Sequence, residues 1–285
     1  MLHLSNRIAN GICLLFLSLF IAQPGQAADL IRINGSGSGL DMMKPLIAAY
    51  TKTHPEVDFG LDKPLGSSGA IKALKAGMLD LAMTSRPLKP EETAAGIILL
   101  KYGQTPLAIV TNKDVGKKDI NSQELVNFYA GKTANWPDGK PVRLILRPKE
   151  DADTKVIRKF SPEMDVAMTS AQAKPGMIVA ITDPEAAESI AKTSGALGAA
   201  GLTGVIVGQL PLKVMSVNGV EPTPETLANG TYPFAKQLDI VTMGSTLPEP
   251  AKKFLTFVYS LEGRGIAHSA GVQITAGEES AKWLK

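Results

Sequence analysis

The sequence predicts an α/β protein built around a largely parallel sheet. Short β-type runs alternate with helix-type runs along the chain, which is typical of βαβ units. PLAIVTN, residues 106–112, is almost continuously apolar, as expected for a strand buried on both faces. With 285 residues, 44% of them hydrophobic, the chain is long enough for one large domain or two lobes.

The first part of the chain alternates strand and helix. Strands are predicted at residues 30–35, in VDFGLD and in LDLAMTS. Helices are predicted at residues 40–53 and 71–76, where apolar residues recur at helical spacing. Pro45 fits the first of these helices only if it lies in the first turn.

A second lobe is predicted to begin near Lys113. Its expected elements are helices at 122–129 and 184–192 and the strands VRLILR and LKVMSV. The strand LDIVTM and closing helices from residue 248 onward follow later in the chain. The Gly- and Pro-containing stretch 218–232 reads as a loop. The predicted division is a signal peptide at 1–27, lobe I at 28–110 plus 240–285, and lobe II at 111–239.

The N-terminus resembles a secretory signal peptide. A weakly positive start with Arg7 precedes the apolar run ICLLFLSLFIA and the small-residue exit Gly25-Gln26-Ala27. The run is short for a membrane span, although an uncleaved anchor is the alternative. Cys13, the single cysteine, lies at the start of this run, so the apolar stretch follows it rather than preceding it, which argues against lipid attachment there. We therefore expect a periplasmic, cysteine-free mature chain with no disulfide.

Composition and motifs argue against several classes of function. The net charge is only +3, no Lys/Arg-rich run occurs and aromatic residues make up 5%, so nucleic-acid binding is not expected. His54 and His268 are the histidines of the mature chain, and neither is placed like a general base. No metalloprotease or hydrolase motif is present, and Glu150, Asp151 and Asp153 lack the rest of a calcium loop. We expect no catalytic residue, no cofactor and no metal.

Three strand-to-helix loops have the composition of an anion site. They are GSGSG at residues 35–39, GSSG at 66–69, and the segment after Arg147. A helix N-terminus offers free N–H groups and a partial positive charge, and serine hydroxyls add donors. A serine before a helix is more often only an N-cap, but two such loops at matching positions favour a site.

The order of these motifs resembles that of the periplasmic phosphate-binding proteins of ABC importers. The segments that carry the resemblance are INGSGSGLDMMKPLIAAYTKTHPEV, LGSSGAIKALKAGMLDLAMTSRPL, TPLAIVTN, LVNFYAGKTANWPDGKPVRLILRP, SGALGAAGL, NGVEPTPETLANGTYPFAKQLDIVTMG and FLTFVYSLEGRGIAHSAGVQ. They cover nearly the whole mature chain in the same order. The resemblance implies two α/β lobes, each a mostly parallel sheet flanked by helices, joined by two crossing strands near residues 106–112 and 238–242. Hinge closure around a ligand is the expected motion.

The resemblance also implies which residues contact the ligand. Residues that match the family's anion contacts, or lie directly beside them, are Ser36, Gly37, Ser38, Ser67, Ser68, Ser85, Arg86, Arg147, Asp151, Asp153 and Thr154. Arg147 matches the family arginine, whose guanidinium fork suits a tetrahedral oxyanion. The family often has an aspartate where this chain has Ser85, so that acceptor is missing here.

The segment after Arg147 departs from the family pattern. KEDADT stands where glycines and hydroxyls are expected, which places three carboxylates near the anion. Two like charges about 4 Å apart repel by about 4 kcal/mol at an effective dielectric constant of about 20. Three interpretations are open. Asp151 or Asp153 caps its own helix while Glu150 faces solvent; the carboxylates receive a ligand with donor or cationic character; or one of them binds the proton of a protonated oxyanion.

These observations predict a periplasmic solute-binding protein that captures a small oxyanion, phosphate by default, for an ABC permease. The alternative is the same fold used as a ligand sensor or interaction protein, or one that binds a different small solute because of the acidic segment. We expect a monomer in either case.

Overall fold

The computed structural model describes residues 29–244 and 247–276, which form twelve strands and eleven helices. The strands are β1 (Asp29–Gly35), β2 (Val57–Leu61), β3 (Leu81–Thr84), β4 (Ile97–Asn112), β5 (Asp119–Ile120), β6 (Arg143–Leu146), β7 (Ile178–Val179), β8 (Ala196–Gly201), β9 (Leu212–Val214), β10 (Ser216–Val217), β11 (Ala235–Met243) and β12 (Gln273–Ile274). The helices are α1 (Gly37–Thr53), α2 (Gly66–Lys75), α3 (Pro90–Ala94), α4 (Ser122–Ala130), α5 (Ala152–Arg158), α6 (Pro162–Ala173), α7 (Asp183–Lys192), α8 (Leu202–Val207), α9 (Pro224–Ala228), α10 (Glu249–Val258) and α11 (Leu261–Ser269).

One sheet runs through both halves of the molecule, in the order β2-β1-β3-β11-β4-β8-β6-β7. The strands at its two ends pair in parallel, β1 with β2 and β3 at one end, and β6 with β7 and β8 at the other. In the middle, β4 and β11 pair antiparallel with each other, and each also pairs antiparallel with a strand of one end. The predicted combination of parallel sheets joined by two crossing strands is confirmed.

Each half has its own hydrophobic core. The first core lies around Met42, Leu46 and Phe254, and includes Tyr102 of β4 and Leu238 of β11. The second lies around Leu125, Trp136 and Met168, and includes Leu107 of β4 and Phe234 just before β11. Both crossing strands therefore leave one core and enter the other within a few residues. We refer to the half with the first core as lobe I and to the other as lobe II.

The prediction for Pro45 is wrong. Helix α1 begins at Gly37, so Pro45 lies well inside it rather than in its first turn. A proline there lacks the N–H that would bond to the carbonyl four residues earlier, which weakens the helix. Met42, Met43 and Leu46 flank Pro45 and are fully buried, and this packing keeps the helix continuous.

The predicted loop at residues 218–232 is also not entirely irregular. It contains the short helix α9, which begins at Pro224 after Thr223 accepts a hydrogen bond from the Thr226 N–H. A proline at the first helical position and a threonine cap are a common helix start. The signal for this helix, Thr223 followed by Pro224, was therefore present in the local sequence.

The predicted signal peptide lies outside the described residues. Among the helices at residues 29–244 and 247–276, none is both long enough and apolar enough to cross a membrane.

Gly35, at the end of β1, packs directly against β3. A Cβ placed on Gly35 would lie 2.7 Å from the Cα of Met83, too close for a real contact. We expect Gly35→Ala to lower the free energy of unfolding by about 1–3 kcal/mol, because the strands must separate. Urea denaturation measures the change.

Gly265 on α11 provides the matched control, because a Cβ there would meet no atom within 4 Å. Gly265→Ala is expected to leave the protein unchanged or to stabilise it by about 0.5–1 kcal/mol, since alanine favours the helix. Equal effects of the two substitutions would contradict the close packing of β1 on β3.

Candidate functional site

A cleft between the two lobes contains a cavity of about 470 Å³. Lobe I lines it with residues from the two predicted serine loops and from the segment that follows β3. Lobe II lines it with residues between the end of β6 and α5, with residues at the start of α7 that include Asp183, and with Lys236 of β11. The predicted site residues that line this cavity are Ser36, Gly37, Ser67, Ser68, Ser85, Arg86, Arg147 and Asp151. Ser38, Asp153 and Thr154 lie behind its walls.

The serines of lobe I are linked by hydrogen bonds. Ser36 caps α1, and its Oγ accepts from the Gly39 N–H at 3.3 Å and from the Ser85 hydroxyl at 2.9 Å. Ser67 Oγ accepts from the Ser85 N–H at 2.9 Å. Ser85, which replaces the acidic residue of the family pattern, thus connects the two loops to each other.

The start of α2 has no side-chain cap. Its preceding residue, Leu65, has no side-chain oxygen, and Gly66 adopts a positive φ of 70° that brings the chain into the helix. Asn34 fixes the turn by accepting hydrogen bonds from the N–H groups of Gly35 at 2.7 Å and Leu65 at 2.9 Å. Among the described residues no side chain caps the start of α2, so the GSSG loop presents this helix N-terminus to the cleft.

Arg86 braces lobe I. Its guanidinium donates two hydrogen bonds to the Glu92 carboxylate, at 2.8 and 2.7 Å, and two more to Ser68 Oγ, at 3.2 and 3.1 Å. The hydrogen bonds from Arg86 lower the pKa of Glu92 to about 2, against the opposing effect of burial. The hydrogen-bond donors of Arg86 are thus largely occupied by groups of the protein itself, although Arg86 also lines the cavity.

Arg147 lies just after β6 with its side chain 8% exposed. One terminal nitrogen, Nη1, donates to the Ala180 carbonyl at 3.2 Å. The other, Nη2, donates to Asp151 at 2.8 Å and to Asp183 at 2.9 Å. The guanidinium that was expected to hold an external oxyanion therefore holds two carboxylates of its own chain.

Asp183, the first residue of α7, receives donors from both lobes. Its Oδ2 accepts from the N–H and the hydroxyl of Ser38 in lobe I, each at 3.0 Å, and from Lys236 Nζ at 2.8 Å. Its Oδ1 accepts from Arg147. Burial opposes ionisation, but the charges of Lys236 and Arg147 and the hydrogen bonds outweigh it and hold the pKa of Asp183 well below its ordinary range.

Lys236 lies at the start of the crossing strand β11, with its side chain only 2% exposed. Its Nζ is 2.6 Å from Asp153 and 2.8 Å from Asp183. Burial raises the pKa of Asp153 to about 6, in spite of the nearby ammonium. Burial alone would lower the pKa of Lys236, but the surrounding carboxylates raise it, so the lysine stays charged. We call Arg147, Asp151, Asp153, Asp183 and Lys236 the buried charge cluster.

The local structure of the acidic segment after Arg147 agrees with the first of the three interpretations, in which an aspartate caps α5 and Glu150 faces solvent. Asp151 caps α5 by accepting from the Asp153 N–H at 2.9 Å, and Glu150 has 79% of its side chain exposed and pairs with Lys155. Thr154 turns away from the cavity and donates to the Arg147 carbonyl at 3.2 Å. Asp153 is an exception, because it is buried against Lys236 rather than used as a cap.

Sequence reasoning missed Asp183 and Lys236. Asp183 falls in Thr182-Asp183-Pro184, where Thr182 supplies the helix cap and the aspartate is left over. Lys236 lies just before the crossing strand predicted near residues 238–242, and it is buried, although a lysine is almost never fully buried unless it is paired. A lysine beside a predicted buried strand was therefore the available signal. Neither histidine lies at the cleft, since His54 stacks on Tyr50 with ring centres 4.0 Å apart and His268 pairs with Glu225.

Comparisons with known proteins identify the family. The model of the PBP superfamily domain matches residues 22–262. The chain belongs to the PBP superfamily. The recognition made from the sequence is thereby confirmed. Among curated proteins, this PBP superfamily chain is 25% identical over 250 residues to the phosphate-binding protein PstS of Borreliella burgdorferi, covering 85% of this chain and 88% of that protein. It is 24% identical over 233 residues to PstS of Bacillus subtilis, covering 78% and 74%.

Solved structures share the fold. A putative phosphate ABC transporter substrate-binding protein from Clostridium perfringens, solved with bound phosphate, superposes with a TM-score of 0.73 at 23% identity. The alignment covers 87% of this chain and 100% of that one. An ABC-type phosphate transport receptor from Vibrio cholerae gives a TM-score of 0.60 at 21% identity, covering 86% and 100%. The PBP superfamily chain therefore has the same two-lobed α/β architecture.

Removal of Lys236 tests the electrostatics of the cluster. We expect Lys236→Met to lower the free energy of unfolding by about 3–5 kcal/mol at neutral pH, because two buried carboxylates lose their cation. Asp153 would then hold a proton in the folded state that the unfolded chain releases, so the loss is smaller at about pH 5 than at about pH 8. Urea denaturation at both values measures it, with Lys253→Met, an exposed lysine on α10, as the control. A loss that is independent of pH would contradict the burial of unpaired charge.

The Arg86–Glu92 pair gives a second pH-dependent prediction. The pKa of Glu92 is lower in the folded protein than in the unfolded chain, so its contribution is present above about pH 4.5 and is lost as pH falls. Glu92→Gln should cost about 2 kcal/mol at neutral pH, and the difference from the parent protein should shrink on acidification. The control is Glu91→Gln, whose side chain is 68% exposed and whose ion pair spans 4.0 Å. A deficit that persists in acid would argue against the ion pair as its cause.

Proposed function

We propose that this chain is a periplasmic solute-binding protein that captures a small oxyanion, phosphate, in the cleft between its lobes. The single observation that carries the proposal is the set of donors that converges on the Asp183 carboxylate. An N–H, a hydroxyl, a guanidinium and an ammonium surround one oxyanionic group there, from both sides of the cleft. Such a set suits a tetrahedral oxyanion as well as a carboxylate.

The adjoining cavity supports the same proposal. It exposes the uncapped start of α2, with Ser67 and Ser68 beside it, opposite Arg147 and Lys236. Ser67 Oγ accepts one hydrogen bond, and among the described residues no acceptor takes its own proton, which leaves it available to a ligand. An oxyanion here would contact lobe I and lobe II together and would favour the closed arrangement.

The names of the relatives point to phosphate. The curated proteins similar to this chain are phosphate-binding proteins, and the Clostridium perfringens structure holds phosphate. We propose delivery to an ABC permease because the Clostridium perfringens structure is named as an ABC transporter substrate-binding protein. Export to the periplasm and a monomeric state are proposed from the sequence. We propose no catalytic role, because the groups at the cleft are donors and paired carboxylates without a free base beside a nucleophile.

The proposed lobe boundaries stay as predicted from the sequence, with residues 28–110 and 240–285 in lobe I and residues 111–239 in lobe II. The two hydrophobic cores support this division to within a few residues of each crossing.

Calorimetric titration with phosphate tests the function, with sulfate as the comparison ion. We expect phosphate binding that weakens at least tenfold in Ser67→Ala, because a hydrogen bond to a charged ligand contributes about 1.5–3 kcal/mol. Ser170→Ala is the matched control, since this serine lies on α6 and donates only to the Val166 carbonyl. Absence of phosphate binding at both acidic and alkaline pH would overturn phosphate as the ligand. An unchanged affinity in Ser67→Ala would remove this serine from the site.

A further inference from the structure

The contacts of Asp183 cross from one lobe to the other. The residue belongs to α7 in lobe II, whereas Ser38 belongs to the first turn of α1 in lobe I, 145 positions away in the sequence. Both the N–H and the hydroxyl of Ser38 donate to the same carboxylate oxygen. The N-terminus of α1 is thus satisfied by an anion of the opposite lobe.

The surroundings fit the aspartate closely. Gly37 lies against it, and a Cβ on Gly37 would come within 2.6 Å of the Asp183 Cβ. Asp183 is not needed to cap its own helix, because Thr182 accepts from the Glu185 N–H at 3.3 Å. The carboxylate is therefore not needed to stabilise the start of α7. It accepts hydrogen bonds from Ser38 in the first turn of α1 instead.

The charges of the buried charge cluster also single out Asp183 from the other two carboxylates. Arg147 and Lys236 supply two positive charges, and Asp151, Asp153 and Asp183 supply three carboxylates. Asp151 and Asp153 each have a function inside lobe II, as the cap of α5 and as the partner of Lys236. Asp183 is the carboxylate whose removal would leave the two cations and the α1 N-terminus open to an incoming anion.

We propose that Asp183 competes with an oxyanion for the donors of Ser38, Arg147 and Lys236, and that it holds the two lobes together until a solute displaces it. We call its contacts with Ser38 the latch. The inference rests on the proposed function for the identity of the displacing solute. The latch itself depends only on contacts within the chain. Displacement is required because a second anion beside Asp183 would be repelled and would find its donors already engaged. Asp183 thereby sets the affinity, since only the fraction of molecules with the carboxylate withdrawn is competent to bind.

The test compares two variants of Asp183 with a matched control. Asp183→Ala removes the competing group, and Asp183→Asn keeps its shape but not its charge. Glu188→Gln removes one carboxylate from the same helix, at a side chain that is 63% exposed. Phosphate affinity is measured by calorimetry, and the fold of each variant is checked by thermal unfolding.

The separation of the lobes is measured independently of any ligand. Spin labels are attached at Lys72→Cys on α2 and Lys159→Cys after α5, both exposed, in a chain whose single cysteine is replaced by Cys13→Ser. Distance distributions are recorded in phosphate-free buffer for the parent protein and for each variant.

The expected result has two parts. Asp183→Ala binds phosphate at least tenfold more tightly than the parent, with Asp183→Asn between the two and Glu188→Gln unchanged. The phosphate-free lobes of Asp183→Ala lie farther apart, or sample a wider range of distances, than those of the parent and of Glu188→Gln.

Each other outcome bears on the proposal. Tighter binding without a change in the phosphate-free distance overturns the latch, because the carboxylate then acts by repulsion alone. Unchanged or weaker phosphate binding in both Asp183 variants overturns its role as a competitor, provided that the parent binds phosphate. If no variant binds phosphate, the proposed function fails, and a longer distance in Asp183→Ala alone still supports the latch.

Discussion

The arrangement of the cleft depends on the pairing of buried charges between Asp183, Lys236 and Arg147. Removing these groups from water is costly, and their attraction offsets that cost only when the geometry is good and every charge has a partner. Lys236 pairs with Asp153 and Asp183, and Arg147 pairs with Asp151 and again with Asp183. Because Asp183, the carboxylate that both cations share, also accepts hydrogen bonds at the α1 N-terminus, the charges of the candidate site link the two lobes.

The position of Lys236 on a crossing strand decides which contacts a rotation of the lobes would change. Lys236 lies at the start of β11, where that strand passes from the lobe II core to the lobe I core beside β4. A rotation of one lobe about β4 and β11 would move Ser38 relative to Asp183 while the lysine stays near the axis. Asp153 and Asp151 would move with Arg147, since all three belong to lobe II. An opening motion would therefore break the contacts between Ser38 and Asp183 first, because these contacts join the two lobes.

Local patterns predicted the α/β class and many of the strands and helices, because apolar periodicity and strand-to-helix loops depend on neighbouring residues, whereas the two lobes and their crossing strands were implied by the family resemblance. The serine loops, and Asp151 as one of two candidate caps for its helix, followed from the sequence because they too are local patterns. The position of Asp183 did not, because its partner Ser38 is 145 residues away and nothing local distinguishes it from an ordinary first-turn aspartate. Pro45 was misplaced since the buried residues around it outweigh its effect on the helix. Family resemblance placed Arg147 at the site but could not reveal that carboxylates of this chain had taken its donors.

The path of the chain through the two cores has a consequence for the order in which the protein is assembled. The lobe II core is built from residues between Leu107 and Phe234, a single uninterrupted stretch. The lobe I core combines Ile31 and its neighbours with residues as far along as Phe254 and Ala276. As the chain is made from its N-terminus, lobe II has its complete core available while the final segment of lobe I is still to emerge, and closing the longer loop carries the larger entropic cost. The N-terminal residues of the lobe I core therefore stay incompletely buried until the C-terminal residues that pack on them have been made.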